Sequence, residues 1–541
     1  MNATVSTNSG NDRAAALAAR FVLLIAAVLA TIGIDWGLPN LRSWAADALE
    51  PALVLRGLGL AWGEDWWSIP RYPPFHFVVL GVAFAPYLLY LRLFDEAGWD
   101  IVATFLSGEP GVTLTDLIND PALVPVATNL ILIARIVSVL MGVGTVGLAI
   151  SLGRRLFGPW CGVFAGFLIA AYYPFVYHAH VANTDVPQLF WAMLSFHALA
   201  RALTTPEPKR RDWIVSAVAA AASVATKDGA AGLFLGVPLL FLGAFGPKQF
   251  WQRRETWLWI GASLAAFAVT TLIVFRPTLY PRHVETLFGA QFERMREVAD
   301  QAGGNSGKGI WPPIRLLLES LTIPGAIAIG LGCLGAVSLW PRRALAVLVP
   351  ALVYFTIIVL GTGWVYLRFL LPCALALFLL GAAGLVRFIE APPRRAARLG
   401  RGLLVAMALA QFWLYGPRLD GLLLDDPRDR LIQAFEQSPP RRGVLYLSLQ
   451  SWSPAFLGGS YPVRYELLSN QDLPSLLQDP AFDRLVFQRL PSPLSDEPPD
   501  LPAVGKKLLG WEFYERIEAS SSHPALRHIA LQPIIVIGRR P

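Results

Sequence analysis

Long apolar runs are the feature that most constrains how this 541-residue chain folds. A helix needs about 20 mainly apolar residues to cross the hydrocarbon core of a bilayer. The sequence predicts eleven such spans, at residues 14–34, 127–151, 157–177, 187–203, 213–226, 229–246, 257–275, 316–339, 344–361, 367–388 and 401–416. Charged residues make up only 15% of the chain, against about 25% in soluble domains. We therefore expect an all-α polytopic membrane protein rather than a cytosolic enzyme.

The distribution of Lys and Arg predicts the orientation, because these residues favour the cytoplasmic side. With the N-terminus inside, the cytoplasmic segments hold 18 Lys and Arg in 66 residues, whereas the outer loops hold 11 in 150. The expected location is a bacterial inner membrane. No small-residue cleavage site follows the first run, 14–34, so it is expected to be a retained helix rather than a signal peptide.

One further apolar run, residues 76–93, is predicted to lie along the membrane surface or to re-enter it. If it crossed, Arg154 and Arg155 would face outward. The acidic stretch 94–126, which has no Lys or Arg, would then be cytoplasmic. The sequence therefore predicts one large outer loop, 35–126, that contains juxtamembrane helices.

The last part of the chain, residues 417–541, has ordinary polarity and many prolines. Short apolar runs lie there at Val444–Leu449, Leu485–Phe487 and Pro533–Gly538. They alternate with segments that are expected to be helical. They predict a small α/β domain outside the membrane, on the same face as the long loop. It follows a transmembrane domain of residues 1–416.

The unusual polar residues fall on the outer face of this topology, and ionisable groups in or near membrane spans are often functional. They are Asp35, Asp47, Glu50, Tyr72, His76, His178, His180, Asn183, Asp185, Lys227, Asp228, Arg276, His283, Tyr366 and Arg368. Each has an ordinary alternative. Asp35 can cap a helix end, the histidines can be interfacial, and Lys227 with Asp228 can be a hairpin charge pair. Their convergence on one face is what indicates a site.

Five segments resemble a known family. They are GLPNLRSWAADALEP at 37–51, RYPPFHF at 71–77, HVANTDVPQLFWAML at 180–194, ATKDGAAGLFL at 225–235 and WVYLRFLLP at 364–372. In this order they resemble the polyprenyl-phosphate-sugar-dependent glycosyltransferases of the GT-C superfamily. Within that superfamily they resemble the protein O-mannosyltransferase-like group (dolichyl-phosphate-mannose–protein mannosyltransferases, glycosyltransferase family 39). The resemblance covers roughly residues 14–390 and implies a GT-C fold.

The resemblance implies that a sugar moves from a polyprenyl-phosphate donor to an acceptor hydroxyl at the outer face, with inversion. An acid in the first outer loop would act as general base, and cations would stabilise the leaving phosphate. By position, Asp47 is the expected base. The family usually has Glu next, where this chain has Ala48, so Glu50, three residues further on, is the expected substitute. Asp35 is the remaining candidate.

The resemblance also implies the other site residues. Asp185 matches the second acidic position of the family. The side chains expected to line the site are Tyr72, His76, Asn183 and His283. Those expected to bind the donor phosphate are, in falling order, Lys227, Arg368 and Arg276, and the fork of Arg pairs well with phosphate.

No cofactor is predicted. The segment Asn-Thr-Asp at 183–185 replaces the two-aspartate pair expected for a divalent ion, so no obligatory metal is expected. The expected partners are the lipid-linked donor, membrane lipid and an acceptor hydroxyl on a glycan, a lipid or a protein. The net charge of +7 is not attributed to nucleic-acid binding, because the basic residues cluster at the cytoplasmic ends of spans.

A transporter or flippase of a lipid-linked sugar is the alternative, because it too would have many spans and charges on one face. Transporters usually place coupling residues near the bilayer midplane, often in repeated halves. The sequence contains neither an internal repeat nor paired acids within a span, and Arg135 is the main charge there. A polytopic scaffold would leave the outer-face acids and cations without a role. The sequence therefore favours a glycosyltransferase.

Overall fold

The computed structural model of the chain consists of many helices followed by a small sheet. It describes residues 9–38, 72–107, 124–275, 277, 280–281, 284–285, 309–362, 365–390, 426–448, 462–467, 473–489, 507–508, 511–517 and 534–540. The larger of two compact units holds the described residues of Met1–Ile32, Leu60–Val82 and Ile136–Pro417. The smaller unit holds those of Gly33–Gly59, Ala83–Arg135 and Arg418–Pro541. The expected helical membrane architecture with a small C-terminal α/β region is confirmed.

The helices before the sheet follow the apolar runs. They are α1 (Ser9–Leu29), α2 (Phe75–Phe94), α3 (Glu96–Ser107), α4 (Val124–Phe157), α5 (Pro159–Ala171), α6 (Tyr173–His180), α7 (Asp185–Thr204), α8 (Arg210–Thr226), α9 (Ala231–Phe234), α10 (Val237–Phe245), α11 (Pro247–Gln252), α12 (Arg254–Thr270), α13 (Trp311–Leu321), α14 (Ile323–Leu339), α15 (Pro341–Tyr354) and α16 (Leu371–Glu390). Short 3-10 helices lie at Asp228–Ala230 and Leu367–Leu370, and a π-helix at Phe355–Val359 continues α15. In the larger unit, α8 packs against α7 and α12, and α16 packs against α5 and α14.

Among the described residues, five helical segments are long and apolar enough to cross a membrane, or up to seven if two bent pairs each count as one span. The chain is therefore a multi-pass membrane protein. The five are Phe75–Phe94, Val124–Phe157, Asp228–Phe245, Pro341–Val359 and Leu367–Phe388. The predicted total of eleven stays a prediction, and the last predicted span, 401–416, lies outside the described residues. So does the predicted domain boundary at 416–417, which stays a prediction.

Helix α2 contains the run that the sequence places at the membrane surface. It is one continuous helix of 20 residues with Pro86 in its interior, and its length and hydropathy would allow it to cross a membrane. The surface placement was deduced from the charges of the flanking segments. It stays a prediction.

Two of the predicted spans, 157–177 and 316–339, are broken rather than continuous. Helices α5 and α6 meet at an angle of 65°, and α13 and α14 meet at 105°. In each pair the second helix has a proline in its first turn, Pro174 and Pro324. Proline has no N–H to continue the preceding helix but fits the start of a new one. The sequence analysis gave each run as one span and did not predict the break within it.

Glycines allow two helices of the larger unit to approach closely. A Cβ on Gly384 of α16 would lie 1.9 Å from the carbonyl oxygen of Gly332 on α14. A Cβ on Gly332 would lie 2.2 Å from the carbonyl oxygen of Gly381. Such contacts between small residues are a common way of packing helices in membranes. Helices α14 and α16 thus cross with their backbones in contact.

The C-terminal sheet has six strands in the order β2-β1-β3-β6-β5-β4. They are β1 (Val444–Ser448), β2 (Val463–Leu467), β3 (Arg484–Arg489), β4 (Lys507–Leu508), β5 (Trp511–Ile517) and β6 (Ile534–Arg539). Strand β1 pairs in parallel with β2 and β3, whereas β6 is antiparallel to β3 and β5. The predicted strands at β1, β3 and β6 are confirmed.

Both faces of this sheet are covered. Leu431 and Phe435 of α17 (Pro427–Gln437) pack on the face that carries Tyr446 and Ile537. Leu476 of α18 (Leu473–Leu476) belongs to the core on the opposite face. Burial on two sides explains why β1, β3 and β6 contain short apolar runs in the sequence.

Candidate functional site

The central feature of the larger unit is an ion pair between the ends of two helices. Asp185 is the first residue of α7, and Lys227 follows the last residue of α8. The Lys227 Nζ donates to the Asp185 carboxylate, and their side chains are 17% and 6% exposed. The start of a helix also favours a carboxylate, because the helix dipole is positive there. These two residues, 42 positions apart, form the core of the candidate site.

A second cation lies beside this pair. Arg368, in the 3-10 helix before α16, interacts electrostatically with Asp185 and with the phenol of Tyr72. Its guanidinium carbon is 4.9 Å from the ring centre of Tyr366, and the ring of Phe369 lies near both Arg368 and Lys227. The Arg368 Nε is buried and has no hydrogen-bond partner among the described residues. An unsatisfied buried donor costs about 1–3 kcal/mol, so this group is suited to receive a ligand.

The loop between α6 and α7 holds Asp185 in place. The Asn183 Oδ1 accepts a hydrogen bond of 2.9 Å from the backbone N–H of Asp185. The Asn183 Nδ2 donates to the His178 Nδ1, also at 2.9 Å. In this arrangement His178 is neutral with its proton on Nε2. Asn183 and His178 therefore lie beside Asp185, and the expected role of Asn183 in lining the site stays a prediction.

Four further candidates among the described residues lie at separate positions. Tyr72 is partly buried and near Arg368. His76, in the first turn of α2, is 1% exposed, and neither ring nitrogen has a partner in the described part of the chain. The His180 ring contacts the carbonyl oxygens of Val176 and Ile32, so it links the end of α6 to the end of α1. Asp35 is exposed and belongs to the smaller unit.

Four candidates lie outside the described residues. They are Asp47, Glu50, Arg276 and His283. The roles that the resemblance implies for them stay predictions.

The comparison with known families matches the part of the chain that contains the cluster. Residues 123–275 match a family described as dolichyl-phosphate-mannose-protein mannosyltransferase, and the match includes Asp185 and Lys227. No curated protein matches the chain by sequence.

The apo crystal structure of ArnT from Cupriavidus metallidurans is similar, with a TM-score of 0.50 and 13% identity over 96% of this chain and 97% of ArnT. The chain has the GT-C glycosyltransferase fold. ArnT bound to undecaprenyl phosphate gives a TM-score of 0.48 at 14% identity, over 96% of this chain and 97% of that one. The zinc and sulfate complex of the Archaeoglobus fulgidus oligosaccharyltransferase gives a TM-score of 0.46 at 13% identity. That comparison covers 86% of this chain and 68% of the oligosaccharyltransferase. The expected GT-C fold is confirmed.

An apolar cavity of about 460 Å³ runs along α7 in this GT-C fold. It begins at Leu189, one turn from Asp185, and reaches Thr204 at the end of the same helix. Fifteen residues of helix correspond to about 22 Å. Apolar side chains from α4, α10 and α16 also line the cavity, including Leu152, Leu240 and Leu375. The cavity is thus suited to hold a long apolar chain.

No group of three or more His, Cys, Asp or Glu that could hold a metal occurs among the residues that the structure describes. Asp47 and Glu50 lie outside them, so the expectation of no obligatory metal stays a prediction.

Sequence reasoning missed two contacts of the candidate site. Tyr280 donates from its hydroxyl to the Asp228 Oδ1 at 3.0 Å, which fixes the residue after Lys227. Tyr177 interacts electrostatically with Arg368. A tyrosine beside an apolar run has no distinctive spacing, so the only available signal was its position near a span end on the predicted outer face.

Proposed function

We propose that the protein transfers a sugar from a polyprenyl-phosphate donor to an acceptor hydroxyl at the outer face of the membrane. The observation that carries the proposal is the buried group of Asp185, Lys227 and Arg368, with the apolar cavity beginning one turn from Asp185. A lipid phosphate combines an anion with a long apolar chain. The cations would bind the anion, and the cavity would take the beginning of the prenyl chain.

The comparisons support this class of donor. The matching family is described by its use of dolichyl-phosphate mannose. ArnT, whose apo structure has a similar fold, has also been crystallised with undecaprenyl phosphate. Both ligands are polyprenyl phosphates, so we assign the donor to that class and leave the sugar and the acceptor open.

In the proposed reaction, Asp47 takes the proton of the acceptor hydroxyl as general base. The acceptor oxygen bonds to the anomeric carbon from the side opposite the phosphate, and the bond from that carbon to the phosphate oxygen breaks. The configuration is therefore inverted. Negative charge develops on the leaving polyprenyl phosphate, where Arg368 and Lys227 would stabilise it.

Arg368 is the stronger candidate for the phosphate contact. The Lys227 ammonium is already paired with Asp185, whereas the buried Nε of Arg368 has no partner in the described part of the structure. Arginine also binds phosphate through two parallel donors, which lysine does not. Lys227 would act mainly by neutralising Asp185, so that the site keeps a net positive charge.

The test is release of polyprenyl phosphate from polyprenyl-phosphate hexoses and pentoses by the purified protein in lipid, with membrane extract as acceptor. Wild type should release the lipid phosphate, and Asp47→Asn should not. The matched control is Asp100→Asn, an exposed acid in the same predicted loop, which should behave as wild type. No release with any donor, together with movement of intact donor across vesicles, would instead establish a transporter.

A further inference from the structure

The breaks of the two bent helix pairs meet inside the larger unit. Tyr172 is the single residue between α5 and α6, and Ser320 is the next-to-last residue of α13, just before the break to α14. The Tyr172 hydroxyl lies 2.7 Å from the Ser320 Oγ, although the two residues are 148 positions apart in the sequence. Broken helices at membrane depth are tolerated only where they are buried in protein or line a cavity. Here one hydrogen bond joins the two breaks.

The direction of this hydrogen bond follows from its surroundings. The Ser320 hydroxyl donates to the carbonyl oxygen of Leu317 at 2.7 Å. A hydroxyl has a single hydrogen, so the Tyr172 O–H is the donor and the Ser320 Oγ is the acceptor. Both residues are fully buried, and the Tyr172 ring packs edge-on against Phe378 of α16, with ring centres 5.1 Å apart. The bond is therefore shielded from water, and its donor is held on both sides.

Both of the joined helices contact the 3-10 helix that carries Arg368. Helices α6 and α13 each pack against Leu367–Leu370. Tyr177 and His178, near the end of α6, interact electrostatically with the Arg368 guanidinium. The 3-10 helix also continues directly into α16, which holds the Tyr172 ring. Arg368 thus lies on a short helix in contact with both helices that the hydrogen bond joins.

Stability alone does not require a polar pair at this place. Hydrogen bonds between membrane helices contribute little net stability on average, and two apolar groups of the same shape can replace a buried pair at little cost. A hydrogen bond differs from an apolar contact because it fixes direction as well as distance. The buried Nε of Arg368, which has no partner in the described part of the chain, needs such precise placement to bind an anion.

We propose that Tyr172 and Ser320 are positioning residues, whose hydrogen bond holds α6 and α13 against the 3-10 helix so that Arg368 is placed to bind the donor phosphate. The inference rests on the proposed function, because it concerns the same phosphate site. It also gives the two helix breaks a role, since a straight helix would not bring these two side chains to the same place. All of these residues belong to the larger unit.

The test measures the dissociation constant of undecaprenyl phosphate in nanodiscs for wild type, Tyr172→Phe, Arg368→Ala and the variant with both changes. Tyr172→Phe keeps the ring against Phe378. Ser320 keeps its bond to Leu317, so no buried donor is left unpaired. Affinity should fall roughly 3-fold to 10-fold, because one neutral hydrogen bond no longer holds Arg368 in place. If Tyr172 acts through Arg368, the double variant should bind no more weakly than Arg368→Ala alone.

Ser320→Ala removes the same hydrogen bond from the other side. It leaves the buried Tyr172 hydroxyl unpaired, so it should lower the melting temperature more than Tyr172→Phe does. The variant with both Tyr172→Phe and Ser320→Ala leaves neither hydroxyl and should recover much of that stability. It should still bind undecaprenyl phosphate more weakly than wild type, which separates the positioning role from a purely stabilising one.

The matched control is Ser195→Ala, which removes another buried hydroxyl between two helices of the same unit. The Ser195 Oγ donates to the carbonyl oxygen of Ser216 at 2.7 Å and joins α7 to α8, about 15 Å along α7 from Asp185. This variant should lower the melting temperature but leave the affinity for undecaprenyl phosphate unchanged.

Three results would overturn the positioning role while phosphate binding stands. They are wild-type affinity of Tyr172→Phe, fully additive losses in the variant that combines it with Arg368→Ala, and an equal loss of affinity in Ser195→Ala. If wild type does not bind undecaprenyl phosphate, the proposed function falls and this role falls with it.

Discussion

Lys227 and Asp185 neutralise each other at the point where the end of α8 meets the start of α7. Both charges are largely buried, with side chains 17% and 6% exposed. The two residues are far apart in the sequence, at positions that differ by 42. The ion pair therefore holds the two helix ends together and also helps to set the charge of the candidate site.

Replacing one residue of this ion pair is expected to destabilise the protein more than replacing both. Lys227→Met or Asp185→Asn leaves one buried charge without its partner, which costs about 3–5 kcal/mol. The double variant should recover much of that loss. Thermal unfolding in detergent measures the effect, with Arg315→Ala as control at the more exposed pair with Glu319. Equal losses in the single and double variants would contradict the account.

The backbone contact between α14 and α16 gives a second prediction. Gly384→Ala places a Cβ against the Gly332 carbonyl, so the helices must separate. Overpacking of this kind costs about 1–3 kcal/mol. Gly330→Ala on α14, where a Cβ meets nothing within 4 Å, is the matched control and should be neutral or slightly stabilising. Similar melting temperatures for the two variants would show that the contact is not tight.

Asp483 predicts a pH dependence for the C-terminal sheet. Burial raises the pKa of its carboxyl, but the backbone N–H groups of Arg441, Arg442 and Gly443 and the Arg484 guanidinium outweigh burial and lower the pKa below its ordinary value. The ionised Asp483 carboxylate therefore stabilises the fold when the pH is above the pKa of an unfolded Asp, about 3.9. This stabilisation is lost as the pH falls through the lower pKa of the folded state.

Asp483→Asn should therefore destabilise the sheet at neutral pH, and the difference from wild type should shrink as the pH falls below about 4. Limited proteolysis of the full chain between neutral pH and pH 3 follows this, with cleavage within 426–540 as the readout. A difference that stays constant over the whole range would mean that the Asp483 charge does not stabilise the sheet.

Much of this fold is predictable because apolar runs report directly on membrane helices. The run at 367–388 and α16 agree closely, and three of the C-terminal strands follow short runs such as Val444–Leu449. The breaks at Pro174 and Pro324 were not foreseen, since hydropathy averages across a bend. The prolines themselves were the available signal.

The candidate site, too, could be predicted from the sequence only in part. The grouping of Asp185, Lys227 and Arg368 followed from sidedness and from the family resemblance. The contact between Tyr280 and Asp228 could not be predicted, because a hydrogen bond between residues 52 positions apart leaves no local pattern. Periodicity and motifs report on residues that are close in the sequence. Such contacts depend on how distant segments of the chain pack together in the folded protein.

Binding of undecaprenyl phosphate to the purified protein in nanodiscs tests most directly the claim that this cluster holds a lipid phosphate. Wild type should bind it, and Arg368→Ala should bind roughly 10-fold to 100-fold more weakly, since a hydrogen bond to a charged group contributes about 1.5–3 kcal/mol. Arg368→Lys should be intermediate. Arg315→Ala, the exposed arginine of α13, should bind as wild type does. Equal affinity of wild type and Arg368→Ala would contradict the account.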